Sequence, residues 1–371
     1  MLNFNIASFL SDHWQQKPCV LRNAIPDFTD LLDEHELAGL AMEPDFDSRI
    51  ISKQGDDWTI QQGPFTEFSA CQGHWTLLVQ GVDKYIEEAS NLMAQFNFIP
   101  NWRVDDLMIS FAVPGAGVGP HTDQYDVFLL QGKGKRRWRV GHPDGLTAIQ
   151  PTAGLCQVEG FEPLIDCELN PGDILYIPPG WAHDGVAVEE SLTYSVGFRA
   201  PDQTQLASYL AEYLQTRHTP SRRYTDAGLL ATQQASEVSD EQLKALKAML
   251  HEAIDAPGFE QTLLTLLSEQ GLEPLGDDEI TSDILRDILD NQGLIYRAAG
   301  CRPLLNRHTP DQLYINGEVV TFNPVNFESM LTLTNKLVVD RTDMANSEDE
   351  LDIFCTFTKL VRMGYWEVAP D

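Results

Sequence analysis

The sequence predicts an α+β protein built from an antiparallel β sandwich or barrel, a small helical domain and a winged-helix-like domain. Three observations support this fold class. Residues 1–201 hold short stretches of strand-like alternation broken by Gly and Pro, which is typical of antiparallel sandwiches and barrels. Residues 202–272 repeat apolar side chains at helical spacing, and residues 273–371 combine helices with a short hairpin.

The first part contains clear strand-like segments that are short and rich in β-branched and aromatic residues. They are Asp106–Val113, Tyr125–Leu130, Arg136–Val140 and Asp173–Ile177. Each is bounded by turn-forming residues, so an antiparallel arrangement is favoured. Two helical segments, Asn5–Trp14 and Asp33–Met42, are expected to flank the sheet.

The second part contains two apolar stripes at helical spacing. They comprise Leu206, Leu210, Tyr213 and Leu214, followed by Leu243, Leu246, Met249 and Leu250. This spacing predicts a helical hairpin. A hairpin appended to a barrel supplies either a dimer interface or a cover for the barrel, and the pattern is compatible with both.

The third part is predicted to be winged-helix-like. A helix over Asp283–Asn291 precedes a hairpin over Leu313–Val320, whose Asn316-Gly317 dipeptide favours a tight type I′ turn. A final helix is expected to open with a capping box at Ser347–Glu350 and to close near Gly364. Because this part has no basic recognition stretch, we expect it to contact protein or to support the architecture instead of binding DNA.

The composition narrows the class of partner. The 371 residues include 25 Lys and Arg against 56 Asp and Glu, a net charge of −31 that disfavours binding to bare nucleic acid. Such a surface attracts a basic partner, although acidity also simply keeps an enzyme soluble. No apolar run is long enough to cross a membrane and no secretory signal is visible. The six scattered cysteines predict reduced thiols in a cytoplasmic protein.

One segment, Pro114–Tyr125, carries a candidate metal site. His121 and Asp123 are two residues apart, so on a strand their side chains point to the same face. His183 follows a Pro-Pro-Gly turn 183 − 123 = 60 positions later and is the expected third ligand. Two imidazoles and one carboxylate on one face of a metal suit Fe(II), because three open positions accept a cosubstrate and O₂. A lone His-x-Asp also occurs on surface strands, but here the glycine-rich and Pro-Pro-Gly flanks agree.

An oxygenase with such a site also needs a cation for the distal carboxylate of 2-oxoglutarate. In the basic run from Lys133 to Val140, alternation places Arg136 on the same face as Trp138 and Val140. Arg136 is therefore the candidate clamp, and the remaining basic residues of the run are expected on the solvated face. Ser110 on a neighbouring predicted strand is a candidate hydroxyl donor, or else a small residue at a tight sheet contact.

The chain resembles the JmjC-type ribosomal oxygenases, and most closely the bacterial arginine hydroxylases of ribosomal protein L sixteen. The matching strings are Trp14–Arg22, Asp105–Ser110, Gly119–Phe128, Arg136–Val140, Pro171–Gly180 and Tyr194–Pro201. The resemblance extends over nearly the whole length. It implies a double-stranded β-helix (jelly-roll, JmjC/cupin-like) catalytic domain over residues 1–201, a helical dimerisation domain over 202–272 and a winged-helix-like domain over 273–371.

The resemblance also implies a function. His121, Asp123 and His183 would bind Fe(II), while Arg136 and Ser110 would hold the cosubstrate 2-oxoglutarate. The product would be an arginine hydroxylated at its β-carbon in a basic ribosomal protein, with O₂ consumed and succinate and CO₂ released.

Tyr125 and Asp126 directly follow the ligands and are candidates to line the substrate channel, although a role in the fold is also open to each. A homodimer is expected. Three alternatives remain open: a JmjC-type histidine hydroxylase or lysine demethylase, a cupin isomerase or sugar-binding barrel, and a non-catalytic cupin-like module that binds ribosomes or proteins.

Overall fold

A computed structural model describes residues 2–69, 71–217, 221–231 and 234–368. The chain forms two compact units, Met1–Ala200 and Pro201–Asp371. Within the described ranges, no helix is both long and apolar enough to cross a membrane.

The first unit consists mainly of strands, with three short helices. The strands are β1 (Cys19–Leu21), β2 (Ser48–Gln54), β3 (Asp57–Gln62), β4 (His74–Val79), β5 (Val104–Ala112), β6 (Asp126–Gln131), β7 (Arg136–Gly141), β8 (Thr147–Thr152), β9 (Leu155–Glu159), β10 (Pro163–Leu169), β11 (Ile174–Ile177), β12 (Ala182–Ala187) and β13 (Ser191–Phe198). The helices are α1 (Ile6–Asp12), α2 (Glu34–Leu40) and α3 (Glu87–Ala94), and single 3₁₀ turns lie at Val82–Lys84 and Asn101–Arg103.

Eleven strands of this unit form two facing sheets, and β8 and β9 pair as a separate two-stranded hairpin. The larger sheet has eight strands in the order β1-β11-β6-β13-β5-β4-β2-β3, and the smaller has three in the order β10-β7-β12. Neighbouring strands pair antiparallel throughout. Side chains of β6 and β11 pack between the sheets against Trp138 and Val140 of β7. The predicted jelly-roll fold is confirmed.

The outer face of the larger sheet is covered by the three helices. Phe9 of α1, Leu37 of α2 and Leu92 of α3 share one core with Phe128 and Tyr176 of the sheet. Because β6, β11 and β13 are buried on both faces, every residue in these strands is buried. Such strands are continuous apolar runs in the sequence, so their inward and outward residues cannot be told apart by alternation.

The second unit is mainly helical. Its helices are α4 (Gln203–Thr216), α5 (Asp240–Ile254), α6 (Pro257–Leu267), α7 (Ser282–Asp290), α8 (Phe327–Thr334), α9 (Arg341–Met344) and α10 (Glu350–Arg362), with a 3₁₀ turn at Pro324–Asn326. Its strands are β14 (Ile295–Arg297), β15 (Leu304–Leu305), β16 (Gln312–Ile315), β17 (Glu318–Thr321), β18 (Val338–Val339) and β19 (Trp366–Val368). They form two three-stranded sheets, β18-β14-β19 and β15-β16-β17.

The predicted hairpin is confirmed as β16 and β17. Asn316 and Gly317 have φ values of 47° and 79°, as a type I′ turn requires. The predicted capping box at the start of the last helix is wrong. Asp349 caps α10 by accepting from the Asp352 amide, because the Ser347 hydroxyl instead donates to the Met344 carbonyl at 2.7 Å.

Candidate active site

A cavity of about 280 Å³ lies between the two sheets of the first unit. Its walls come from the inner face of the larger sheet, from β7 and from the hairpin formed by β8 and β9. Apolar side chains such as Leu78, Val127 and Leu129 line it together with a similar number of polar side chains. A cavity in which polar groups converge between apolar walls is typical of a small-molecule site.

Strand pairing brings the predicted ligands together. His121 and His183 form an antiparallel bridge in which each backbone amide donates to the other residue's carbonyl at 2.9 Å. Gly119 precedes the bridge with φ at 79°, and a Cβ there would lie 2.0 Å from the Gln157 side chain. The glycine-rich loop is therefore required by close packing beside the site.

Three side chains converge at one point of the cavity. The Oδ2 atom of Asp123 lies 3.9 Å from Nε2 of His121 and 3.4 Å from Nε2 of His183. The possible ligand atoms of all three residues lie within 4.8 Å of one another. One ion can bridge atoms at these separations, and the donor set is that of a non-haem Fe(II) site.

The histidines are oriented for ligation by their own backbone. Nδ1 of His121 donates to the Gly119 carbonyl at 2.9 Å, and Nδ1 of His183 donates to the Trp181 carbonyl at 3.1 Å. These bonds place the proton on Nδ1 and leave Nε2 as the free ligand atom. Burial, helped by the charge of His183, lowers the pKa of His121 to about 4 and keeps it neutral.

The carboxylate of the group is held in its charged form. Burial acts to raise the pKa of Asp123, but its interactions with the neighbouring His183 and His121 outweigh burial. The pKa of Asp123 therefore lies below its usual value. Neutral imidazoles and an ionised carboxylate are the forms that bind a divalent metal.

Arg136 points into the same cavity, as alternation along β7 predicts. Residues of β7 are alternately buried and exposed from Arg136 to Arg139. The Nε and Nη2 atoms of Arg136 are buried, and no described residue accepts a hydrogen bond from them. Burial lowers the pKa of Arg136 to about 10, which still leaves it charged at pH 7. A buried guanidinium without an anion is costly, so this cavity is suited to an anionic ligand.

The neighbouring polar groups include one residue predicted from sequence and two that were missed. Ser110 of β5 is buried, lines the cavity and pairs in register with Thr193 of β13. The Thr193 hydroxyl and Nε1 of Trp138 are likewise buried without a described partner. Alternation had indicated only that Trp138 shares the face of Arg136, whereas Thr193 lies in a strand that is buried on both faces.

The two residues predicted to line the substrate channel lie in different places. Tyr125 lines the cavity and is 37% exposed, which places it at the mouth. Burial, followed by the charges of Asp123 and Asp106, raises the pKa of Tyr125.

Asp126 lies outside the cavity and is fully buried, so the expectation that it lines the channel is corrected to a role in the fold. It accepts from the Tyr176 hydroxyl at 2.6 Å, from Gln15 at 3.0 Å and from Arg103 at 2.9 Å. These bonds hold α1 and the adjoining loop against the outer face of the sheet.

The sequence matches known proteins along almost its whole length. Residues 91–206 match the JmjC domain family and residues 244–367 match the ROXA-like winged helix family. The chain is 38% identical to the Escherichia coli ribosomal protein uL16 3-hydroxylase over 98% of each protein. This chain belongs to the JmjC ribosomal oxygenases. It is also 33% identical to a probable ribosomal oxygenase of Haemophilus influenzae, over 92% of this chain and 89% of that protein.

Solved structures of this ribosomal oxygenase family share the fold. The X-ray structure of E. coli YcfD aligns with a TM-score of 0.90 at 37% identity, covering 100% of this chain and 99% of that one. YcfD in complex with cobalt and 2-oxoglutarate aligns with a TM-score of 0.88 at 38% identity and the same coverage. The fold class predicted from sequence is confirmed, including the winged helix. The winged-helix match begins at residue 244, inside α5, and the division into three domains stays a prediction.

Proposed function

We propose that this chain is an Fe(II)- and 2-oxoglutarate-dependent oxygenase that hydroxylates the β-carbon of an arginine in ribosomal protein uL16. One observation carries the proposal: a His-Asp-His group faces the same cavity as a buried arginine that has no acidic partner among the described residues. The relative of 38% identity is named a uL16 3-hydroxylase, and position 3 of an amino acid is its β-carbon.

The residues present fit both iron and 2-oxoglutarate. His121, Asp123 and His183 would hold Fe(II), and Arg136 with Ser110 would hold the distal carboxylate of 2-oxoglutarate. The guanidinium offers buried donors for which no described residue is an acceptor, and a carboxylate would supply one in a two-pronged bond. Together, iron and 2-oxoglutarate activate O₂, so that one oxygen atom enters the target C–H bond and the other enters succinate as CO₂ is released.

The chain itself orients the reactants and excludes water. The Nδ1 bonds of the two histidines fix the imidazole rings, while Val127, Leu129 and Trp138 give the cavity apolar walls. Apolar walls strengthen the attraction between the clamp and its carboxylate, because less water screens the charges. No side chain is needed as nucleophile or general base.

The charge of the protein suits a basic substrate. A net charge of −31 steers a ribosomal protein towards the enzyme and disfavours direct binding of nucleic acid. At the mouth, burial and then the charges of Asp123 and Asp106 act to raise the pKa of the Tyr125 hydroxyl. An arginine side chain that enters there meets negative charge, so Tyr125 stays a candidate for the substrate channel.

We also propose that the protein is a cytoplasmic homodimer joined through its helical segment. Four side chains of α5 that are 45% to 56% exposed recur at helical spacing and form one apolar stripe. They are Leu243, Leu246, Leu250 and Ile254. Contiguous exposed apolar surface on a helix is typical of an interface, and a two-fold axis would bury it against the same stripe of a second copy.

Mass spectrometry on a synthetic arginine-containing loop of uL16 tests the activity. The protein, Fe(II), ascorbate and 2-oxoglutarate should add one oxygen atom to the arginine, and a His121→Ala variant should add none. Hydroxylation of a histidine-containing ribosomal peptide instead would favour a histidine hydroxylase. Absence of both succinate and product in iron-loaded protein would contradict the oxygenase assignment and favour the binding module.

A further inference from the structure

A second arginine faces the cavity and plays no part in the site described so far. Arg49 of β2 lines the cavity, and its Nε atom is buried without a hydrogen-bond partner among the described residues. A buried N–H group that donates no hydrogen bond costs free energy, so a ligand that fills the cavity is expected to supply an acceptor.

Strand register separates Arg49 from the position assigned to the cosubstrate. Arg49 pairs with Leu78 of β4, and Leu78 pairs with Ser110 of β5. Two strand spacings therefore separate the Cα atoms of Arg49 and Ser110, which is about 10 Å. Thr193 lies one strand further away. Arg49 instead lines the same cavity as Tyr125, which is partly exposed at the mouth.

Two carboxamides accompany Arg49 on the same face of the sheet. Gln62 of β3 is its cross-strand partner, and Gln80 follows Leu78 by two residues, so both share the face of Arg49. Both line the cavity, and Gln62 is exposed, which places this group at the opening. Carboxamides both donate and accept hydrogen bonds, as the peptide groups of a main chain do.

We infer that Arg49, Gln62 and Gln80 bind the main chain of the protein substrate beside the target arginine. This inference rests on the proposed function, since it needs a peptide that inserts an arginine. The target guanidinium cannot pair with Arg49, because both are positive. Carbonyl oxygens next to the target residue are neutral, accept hydrogen bonds and arrive at the mouth with the inserted side chain. Arg49 is thus a positioning residue that fixes the register of the substrate loop.

The test compares Arg49→Met and Gln62→Ala with the wild type, using full-length iron-loaded protein and the uL16 peptide. Losing a charged donor to a carbonyl should raise the KM for peptide about tenfold in Arg49→Met. The KM for 2-oxoglutarate should not change. Direct binding of a fluorescent peptide, with Mn(II) in place of iron, should weaken by the same factor.

Gln62→Ala should weaken peptide binding less, and its exposed position keeps folding intact if Arg49→Met is unstable. Arg137→Met is the matched control, because Arg137 is exposed and pairs with Asp166.

Each contrary outcome has a separate meaning. Wild-type affinity for peptide in both variants, with hydroxylation retained, overturns the inference and leaves the proposed function standing. A raised KM for 2-oxoglutarate with an unchanged KM for peptide overturns it as well and assigns Arg49 to the cosubstrate. A wild-type protein that neither binds nor hydroxylates the peptide removes the proposed function and the inference together.

Discussion

Replacing Arg136 by methionine should stabilise the protein and at the same time abolish binding of 2-oxoglutarate. The guanidinium is buried and lacks an anionic partner among the described residues. Burial lowers its pKa from an ordinary 12.5 to about 10, and at about 1.4 kcal/mol per pH unit this corresponds to about 3 kcal/mol of unfavourable charge burial. Methionine fills similar space without charge but loses a cation–π contact with Trp138 of about 1 kcal/mol. The net expectation is a gain of about 2 kcal/mol in the free energy of unfolding.

Urea denaturation with and without ligand measures both effects. Mn(II) replaces iron to prevent turnover, and 2-oxoglutarate is supplied at about a hundredfold its dissociation constant for the wild type. Under these conditions ligand binding should stabilise the wild type by about 2.7 kcal/mol and should not stabilise Arg136→Met. Arg136→Met should therefore be more stable than the wild type without 2-oxoglutarate and less stable than the wild type with it. The control is Arg137→Met on the solvated face of the same strand, which should keep the wild-type response to ligand.

Two results would refute this reasoning. If 2-oxoglutarate stabilises Arg136→Met as much as the wild type, then Arg136 is not the carboxylate clamp. If the ligand-free variant is less stable than the wild type, then the guanidinium makes contacts in the folded protein that compensate for its burial.

The remaining predictions concern pH and assembly. Burial, followed by the charges of Asp105 and Asp83, raises the pKa of Asp106 from 3.8 to about 6, so its ionisation opposes folding above that pH. The contribution of Asp106 to stability should therefore fall as pH rises from 4 to 6, and Asp106→Asn should be more stable than the wild type by about 3 kcal/mol at pH 8 but not at pH 4. A gap in urea denaturation that does not change with pH would contradict this origin. Leu250→Glu in the apolar stripe of α5 should convert a dimer into a monomer in sedimentation analysis, and a monomeric wild type would contradict the proposed interface.

Alternation along the sequence was sufficient to predict which side chains point inward where a strand has one buried and one exposed face. Along β7 the alternation of Arg136, Arg137 and Trp138 is visible in the sequence, and the structure places Arg136 inside as predicted. The expectation that His121 and Asp123 lie on one strand is wrong, because only His121 bridges to another residue, His183, and Asp123 follows in irregular backbone. The turn at Asn316-Gly317 is local, because backbone sterics alone select it.

Other features depended on contacts between distant parts of the chain. Asp126 begins a strand that is buried on both faces, so the sequence carried no sign of which side it faces, and the structure places it in the outer core. The residue that caps α10 is Asp349 and not the predicted Ser347, because the Ser347 hydroxyl donates to the carbonyl of Met344 in the preceding short helix.

The sequence by itself determined the chemistry that this protein offers, and the tertiary structure decided which groups meet. Two of the candidate metal ligands, the candidate clamp Arg136 and the acidic charge follow from residue types and their spacing in the chain. The approach of His183 to His121, the separation of Arg49 from Ser110 and the exclusion of Asp126 follow from strand order and sheet curvature. The physical reason is that pairing between strands joins residues far apart in the chain, and the free energy that selects it is spread over the whole core.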